Sequence, residues 1–199
     1  ESWLTDEIAD GLLDPKQLYV VLRCDRVTSR GGGVCVLIRN YMSVKQVDLQ
    51  KASLLGTTDI LCFDLLVPNN QMVYRIFLIY RPPVSCISRQ HTVSPSESMN
   101  ALVKCLEANI SKVGPTIITG DLNCPDINWN NLSCSNEKCQ KIFFDFTIFN
   151  GFSQCVTRPT RGVNTLDLVL TNDDFVVASV NLSPPFSLSD HDKVEFDLL

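Results

Sequence analysis

The sequence predicts an α/β domain in which strands outnumber helices. Short apolar runs bounded by Gly, Pro, Asn and Ser recur along the 199 residues, whereas only two segments have the apolar spacing of an amphipathic helix. Hydrophobic residues make up 45% of the chain and charged residues 20%, as in a globular protein. At this length we expect one domain spanning residues 1–199. We therefore predict a two-sheet sandwich with helices on its outer faces.

Four strands are predicted in the first half of the chain, each from a short apolar run: Leu18–Arg23, Val34–Ile38, Ile60–Val67 and Met72–Tyr80. The second run is almost wholly apolar, which is typical of a strand buried on both faces. Pro68-Asn69-Asn70-Gln71 predicts a hairpin connection between the last two strands. Arg81-Pro82-Pro83 ends the fourth strand, because proline cannot continue a ladder of hydrogen bonds.

Two helices are predicted further along the chain. The first begins with a capping box, in which Ser94 is the N-cap, Pro95 the first helical residue and Glu97 the acidic partner. Its apolar residues recur at the helical period: Met99, Leu102, Val103, Leu106 and Ile110. The second helix runs from about Glu137 to Phe149 and ends at Asn150-Gly151. Its predicted core residues are Ile142, Phe143 and Phe146.

Strands are also predicted between and after the helices. The run Thr116–Thr119 follows Gly114-Pro115 and has the composition of a buried strand. Four more strand candidates follow the second helix: Ser153–Thr157, Leu166–Leu170, Ser179–Leu182 and Val194–Leu198. Residues 82–96 and Pro184-Pro185 are predicted surface loops.

Polar side chains occur where predicted strands meet loops. The Thr116 strand ends in Gly120-Asp121-Leu122-Asn123, and two residues that are two positions apart in an extended chain point to the same side. Near the C-terminus the chain reads Ser189-Asp190-His191, in which an acidic neighbour favours a charged imidazole. Carboxylate, amide and imidazole groups that meet at strand ends predict a metal-assisted site for hydrolysing phosphate esters.

Two further residues fit such a site. Asp167 lies within the apolar run 165–170, where a carboxylate is unfavourable without a partner, and His191 is its natural partner. Tyr80 ends a strand, where its phenol could contact a phosphate oxygen. Each feature also has a structural interpretation. Gly120-Asp121-Leu122-Asn123 could be an ordinary turn, His191 a surface residue in an acidic loop, and Tyr80 a packing residue at the rim of the sheet.

The bulk composition restricts the partners and the setting. The net charge of -5 provides no general attraction for nucleic acid, although bound metal cations can supply it locally. Nine cysteines without a C-x-x-C pair, and no leader segment, favour an intracellular protein with reduced thiols. No uninterrupted apolar stretch reaches the roughly 18 residues that suggest a membrane helix, so we expect no membrane partner.

Four motifs, in this order, resemble the endonuclease/exonuclease/phosphatase superfamily: Ile79-Tyr80-Arg81-Pro82-Pro83, Gly120-Asp121-Leu122-Asn123, Thr165-Leu166-Asp167 and Ser189-Asp190-His191. More narrowly, they are similar to the apurinic-endonuclease-like domain of jockey-type non-LTR retrotransposons. Three other segments fit that subgroup: Glu1-Ser2-Trp3-Leu4, Gly31-Gly32-Gly33-Val34 and Asn128-Trp129. The resemblance covers essentially the whole chain.

The resemblance implies a metal site and a hydrolytic water. Glu1 and Asp190 would bind a divalent metal, Mg²⁺ or alternatively Mn²⁺. Asp121 would orient and deprotonate the attacking water, and Asn123 would help to hold the scissile phosphate.

The remaining motif residues are implied to act on the phosphate. Tyr80 would contact it, while Asp167 would pair with His191 to stabilise the transition state. The implied fold is a four-layered α/β sandwich, two mixed β-sheets flanked by helices, with the site at the strand ends. The family begins with an asparagine-bearing strand upstream of the glutamate, and we expect the fold to lack this first strand because the sequence starts at Glu1.

The implied function is a DNA endonuclease that nicks target DNA for target-primed reverse transcription. DNA would then be the partner, a reverse transcriptase domain would follow downstream, and the location would be the nucleus. Two alternatives remain open at this point. The chain could be a catalytically inactive retroelement relic or DNA-binding domain, or a phosphoesterase of the same superfamily that acts on small molecules such as inositol phosphates.

Overall fold

The computed structural model describes residues 1–26, 31–49, 57–67, 72–90, 93–136 and 138–199. The helices of this described part are α1 (Asp10–Leu13), α2 (Val84–Gln90), α3 (Pro95–Asn109) and α4 (Gln140–Phe149). Its first six strands are β1 (Tyr19–Cys24), β2 (Val34–Arg39), β3 (Ser43–Gln46), β4 (Asp59–Val67), β5 (Met72–Tyr80) and β6 (Thr116–Asp121). The others are β7 (Ile127–Asn128), β8 (Ser133–Cys134), β9 (Ser153–Gln154), β10 (Asp167–Thr171), β11 (Val177–Ser183) and β12 (Lys193–Leu198).

A mixed sheet of six strands forms the centre, in the order β3-β4-β5-β6-β10-β9. Strands β5 and β6 pair in parallel, because α2 and α3 carry the chain back between them, and all other neighbours in the sheet are antiparallel. Two hairpins, β1-β2 and β11-β12, form further two-stranded sheets, and β7-β8 is a short ribbon.

The two faces of the central sheet are covered differently. On one face, apolar residues of α3 and α4 pack against alternate residues of β5, such as Phe77 and Ile79. On the opposite face, Tyr74 and Ile76 of β5 contact the hairpins, which contribute Ile38, Val177 and Leu198 among others. This arrangement confirms the predicted α/β fold of mixed sheets flanked by helices.

The predicted elements are largely present. The capping box of α3 is complete, since the Ser94 side chain accepts from the Glu97 N–H and the Glu97 carboxylate accepts from the Ser94 N–H. Two details differ from expectation. Leu37 is 41% exposed, so β2 is buried on one face only, because β1-β2 is a two-stranded layer on the outside of the sheet. Residues 84–90 form a helix, not a loop. The predicted turn 68–71 and the predicted helix start at Glu137 lie outside the described residues.

Gly120 is required by the close approach of β6 to β5. Its φ is +124°, and a Cβ at this position would lie 2.0 Å from the carbonyl oxygen of Ile79. Any other residue would push the two strands apart one position before Asp121. The glycine therefore keeps the central strands in contact at the end where the polar motif begins.

The nine cysteines are all free in the structure, in agreement with the absence of paired spacing. Three of them, Cys62, Cys105 and Cys124, lie in the core, where burial raises the pKa of each thiol. No helix of the described residues has the length and hydrophobicity needed to cross a membrane.

Phe143 provides a test of the packing between α4 and the sheet. Its side chain is fully buried and its ring lies 5.9 Å, centroid to centroid, from that of Phe146. We expect Phe143→Ala to lower the free energy of unfolding by about 3–5 kcal/mol, because it leaves a cavity in the core. Urea denaturation followed by circular dichroism measures this change.

The matched control is Phe149→Ala at the end of the same helix, where the side chain is 88% exposed. We expect this variant to change the stability by less than about 0.5 kcal/mol. Equal losses in the two variants would contradict the described orientation of α4.

Candidate active site

Three central strands end in a lateral row of polar residues. In the parallel pair β5-β6 the register places Tyr80 opposite Asp121, and in the antiparallel pair β6-β10 it places Asp167 opposite Asp121. Opposed residues of neighbouring strands project to the same face of a sheet and are separated by about 5 Å. The fold thus brings together side chains that are up to 87 positions apart in the chain.

His191 joins this row from the loop between β11 and β12. Its Nδ1 atom lies 2.8 Å from Oδ2 of Asp167, so the pair expected from the sequence is formed. The Ser189 hydroxyl accepts a hydrogen bond of 3.0 Å from the backbone N–H of His191, which orders the loop. Both members of the pair are about one-fifth exposed. A carboxylate on Nδ1 leaves the opposite ring nitrogen, Nε2, free to face the cavity.

Asn123 lies just beyond β6 in a left-handed conformation, with φ +47°. Its side-chain amide donates to the Arg81 carbonyl at 2.9 Å, and its backbone N–H donates to Oδ1 of Asp121 at 3.0 Å. The Arg81 N–H in turn donates to the Asp121 carbonyl at 2.9 Å. The turn interpretation of this motif is therefore correct, because the side chain of Asp121 closes an Asx turn. The same hydrogen bonds hold Asp121 and Asn123 rigidly at the strand end.

Glu1 and Tyr80 form the side of the site that faces β2. The first residues of the chain run beside Gly31-Gly32-Gly33, with backbone hydrogen bonds of 2.9 Å from Ser2 to Gly33 and from Trp3 to Gly32. All three glycines have positive φ, and a Cβ on Gly32 would lie 2.5 Å from Nε of Arg26. This conformation aims the Gly32 N–H at Oε1 of Glu1, at 2.6 Å.

Tyr80 is packed against charged residues. Its ring lies 5.4 Å from the guanidinium carbon of Arg26, which forms a buried ion pair of 2.6 Å with Asp59. Burial first, and then the negative charge of Glu1, raise the pKa of the Tyr80 phenol, so the group stays protonated at neutral pH. Sequence reasoning missed Arg26 and Asp59, since neither belongs to a motif or to a helical or strand period.

Asp121 is the carboxylate of the site whose pKa is raised furthest from its usual value. Burial first, and then the neighbouring charge of Asp167, raise the pKa of Asp121 to about 6, although His191 and the Asn123 N–H oppose the rise. A carboxylate with a pKa near the working pH can accept a proton and release it again, which suits a general base.

All seven residues predicted from the sequence line a single cavity of about 410 Å³. They are Glu1, Tyr80, Asp121, Asn123, Asp167, Asp190 and His191. Four other residues line it without having been predicted: Trp3, Pro83, Arg161 and Ser189. Of these four residues, only Arg161 is charged. Its only signal in the sequence is an Arg-Gly turn shortly before Asp167.

The cavity contains donors suited to a divalent cation. One ligand atom each from Asp121, Asp167 and His191 lie within 4.8 Å of one another. Asp190 is engaged differently, because its Oδ2 atom pairs with Arg161 at 2.6 Å, which lowers the pKa of Asp190. Carboxylate oxygens are preferred by hard cations such as Mg²⁺ or Mn²⁺, and the donor set therefore fits a divalent metal of this class.

The fold is shared with known proteins. The family model described as "Endonuclease-reverse transcriptase" matches residues 74–195. A comparison with curated protein sequences finds no significant match. Among solved structures, an AP endonuclease from Archaeoglobus fulgidus has a TM-score of 0.68 at 12% identity, covering 100% of this chain and 86% of the other.

Two further solved structures show how broadly the fold is used. The endonuclease domain of TRAS1, a telomere-specific non-LTR retrotransposon, has a TM-score of 0.56 at 12% identity, covering 92% of this chain and 80% of the other. The mannosyl-6-phosphatase Bt3783 of Bacteroides thetaiotaomicron has a TM-score of 0.59 at 12% identity, covering 96% of this chain and 80% of the other. At such identities these likenesses establish the fold alone.

The family model covers more than half of the chain, and the matched range contains six of the seven predicted site residues, all except Glu1. The chain therefore belongs to the endonuclease-reverse transcriptase family, within the endonuclease/exonuclease/phosphatase superfamily.

Proposed function

We propose that this chain is a metal-dependent phosphodiesterase that nicks DNA. The observation that carries the proposal is the convergence of Asp121, Asp167 and His191, whose ligand atoms lie within 4.8 Å of one another in one cavity. A base, a second carboxylate and an imidazole in such proximity match the requirements of an in-line attack of water on a phosphodiester.

Asp121 is the proposed general base. Its raised pKa, about 6, gives the carboxylate enough basicity to accept a proton from water while it remains mostly ionised at neutral pH. Asn123 would hold the scissile phosphate from the adjoining turn. The residue is 6% exposed and its amide is already fixed by the Arg81 carbonyl, so binding a phosphate oxygen would require little loss of conformational freedom.

His191 is the proposed stabiliser of the transition state. The Nδ1–H group of His191 donates to Asp167, which fixes the ring so that the imidazole can stabilise the negative charge that develops on the phosphate. Tyr80 keeps its phenolic proton, and a protonated phenol can donate a hydrogen bond to a phosphate oxygen.

Glu1 and Asp190 are the proposed ligands of Mg²⁺, with Mn²⁺ as an alternative. Asp167 and His191 already bond each other and Asp121 is the proposed base, so the cation is assigned to the two remaining carboxylates that line the cavity. When bound, the cation supplies Lewis-acid stabilisation of the negative charge that develops on the phosphate. Asp190 would share its charge between the cation and Arg161.

The proposed substrate is a target site in duplex DNA, nicked to prime reverse transcription. Membership of a family described as "Endonuclease-reverse transcriptase" supports this substrate, as does the shared fold of the TRAS1 endonuclease domain. The proposal includes a reverse transcriptase domain downstream and action in the nucleus, where the target DNA lies.

The first test replaces the proposed base. We expect Asp121→Asn to reduce Mg²⁺-dependent nicking of supercoiled plasmid by about 10²–10⁴-fold, because the amide cannot accept the proton of the attacking water. Conversion of supercoiled to open-circular DNA on agarose gels measures the rate, and EDTA should abolish it.

The matched control is Asp145→Asn on the outer side of α4, where the carboxylate is 59% exposed. We expect this variant to nick at the wild-type rate. Wild-type protein that leaves the plasmid intact in Mg²⁺ would contradict the endonuclease proposal. If the same protein hydrolysed small phosphate monoesters, a phosphatase would be the better description, and DNA binding without cleavage would indicate an inactive binding domain.

The second test asks whether Asp167 and His191 act as one unit. We expect His191→Ala to lower the nicking rate by at least about 10²-fold, and Asp167→Asn to have a comparable effect because the ring loses its orientation. The double variant should be no more than about tenfold slower than the slower single variant, since residues that act together are not additive. Multiplicative losses would indicate that the two residues contribute independently.

A further inference from the structure

Among the described residues that line the cavity, Arg161 is the only arginine, and none is a lysine. Four carboxylates line the same space: Glu1, Asp121, Asp167 and Asp190. A phosphodiester carries a negative charge, so its approach to this cavity is electrostatically unfavourable unless a protein cation or a metal compensates for it. The position of the one guanidinium is therefore relevant to how substrate enters.

The guanidinium is held by a single carboxylate oxygen. Nε and Nη2 of Arg161 lie 2.8 Å and 2.6 Å from Oδ2 of Asp190. The side chains are 43% and 68% exposed, and such solvated ion pairs contribute little to stability. The other N–H donors of Arg161 have no partner among the described residues, so they are available to a second anion.

The turn that carries Arg161 is hydrogen-bonded to the segments that hold Asp167 and His191. The side-chain oxygen of Thr160 accepts from the backbone N–H groups of Leu166 and Asp167, each at 3.1 Å. Its carbonyl accepts from the Asp192 N–H at 2.8 Å. Thr160 therefore links the turn that carries Arg161 to the start of β10 and to the residue after His191.

The turn itself is tightly closed. Arg161 pairs with Asn164 across it, and Gly162 occupies its tip with φ +58°, a conformation that favours glycine. Because the turn is anchored at both ends, the backbone of Arg161 keeps its place relative to the reacting groups, which reduces the conformational freedom lost on binding.

We propose that Arg161 binds a backbone phosphate of the nucleic-acid substrate while Asp190 holds the guanidinium at the cavity wall. This inference rests on the proposed function and names the residue through which the acidic cavity accepts a polyanion. Arginine suits the role because its planar fork can donate to a carboxylate and a phosphate at the same time.

The test measures DNA binding without cleavage, so that its readout does not depend on activity. A fluorescein-labelled DNA duplex is titrated with the chain in EDTA at several salt concentrations, and fluorescence anisotropy gives the Kd. We expect Arg161→Met to raise the Kd by about tenfold. It should also reduce the magnitude of the slope of log K against log salt concentration by about one, the contribution of a single phosphate contact. Arg161→Lys should recover part of the loss, because it keeps the charge without the fork.

Arg158 provides the matched control, since it is an exposed arginine three residues earlier that lies outside the described lining of the cavity. We expect Arg158→Met to change the Kd by less than about twofold. Thermal unfolding by circular dichroism checks that all variants are folded, which is expected for substitutions at exposed positions.

A comparison in the Asp190→Asn background separates phosphate binding from simple neutralisation of Asp190. If Arg161 touches phosphate, Arg161→Met should still raise the Kd at least about fivefold in that background. If the effect disappears there, or if Arg161→Met leaves the wild-type Kd and salt slope unchanged, the inference is wrong while the proposed function stands. A wild-type chain that neither binds the duplex nor nicks plasmid would contradict the proposed function itself.

Discussion

The alignment of three strand ends is the constraint on which the site depends. Tyr80, Asp121 and Asp167 belong to three adjacent strands of the central sheet, and hydrogen-bonded register places them side by side. A shift of one residue in either pairing would move a carboxylate to the opposite face. Gly120 protects this register, because a side chain there would collide with the Ile79 carbonyl and separate the strands just before Asp121.

The second condition is that concentrated negative charge must be tolerated. Each carboxylate of the cavity has a specific compensating contact. Asp167 bonds His191, Asp190 pairs with Arg161, Glu1 accepts the Gly32 N–H, and Asp121 accepts the Asn123 N–H. The compensation is incomplete at Asp121, whose pKa stays raised by burial and by the charge of Asp167. Sites that use proton transfer often leave one group in this unsatisfied state, since full compensation would remove its basicity.

The sequence predicted the parts of the site that rest on local rules. The strand that ends in Gly120-Asp121-Leu122-Asn123 follows from its apolar run, and the capping box of α3 follows from residue spacing. The partnership of Asp167 and His191 could be inferred because an ionised group within an apolar strand needs a partner, and the chain has only two histidines. The ordered motifs then indicated which distant residues meet, which composition and periodicity alone could not do.

The unpredicted features depend on tertiary contacts. Arg161 reaches Asp190 through a turn anchored by Thr160, and the ion pair of Arg26 with Asp59 supports Tyr80 through the folded sheet. The exposure of Leu37 on β2 likewise depends on whether another layer packs on that face of the strand, and the apolar composition of the strand does not determine this.

A crystal structure of the chain with a short DNA duplex that carries a non-hydrolysable linkage would be the sharpest test of the proposed phosphodiesterase site. We expect a backbone phosphate within hydrogen-bond distance of His191 and Asn123, with the Asp167–His191 bond intact. A duplex bound away from this cavity, or a phosphate within it that contacts neither residue, would contradict the claim that these strand ends form a phosphodiesterase site.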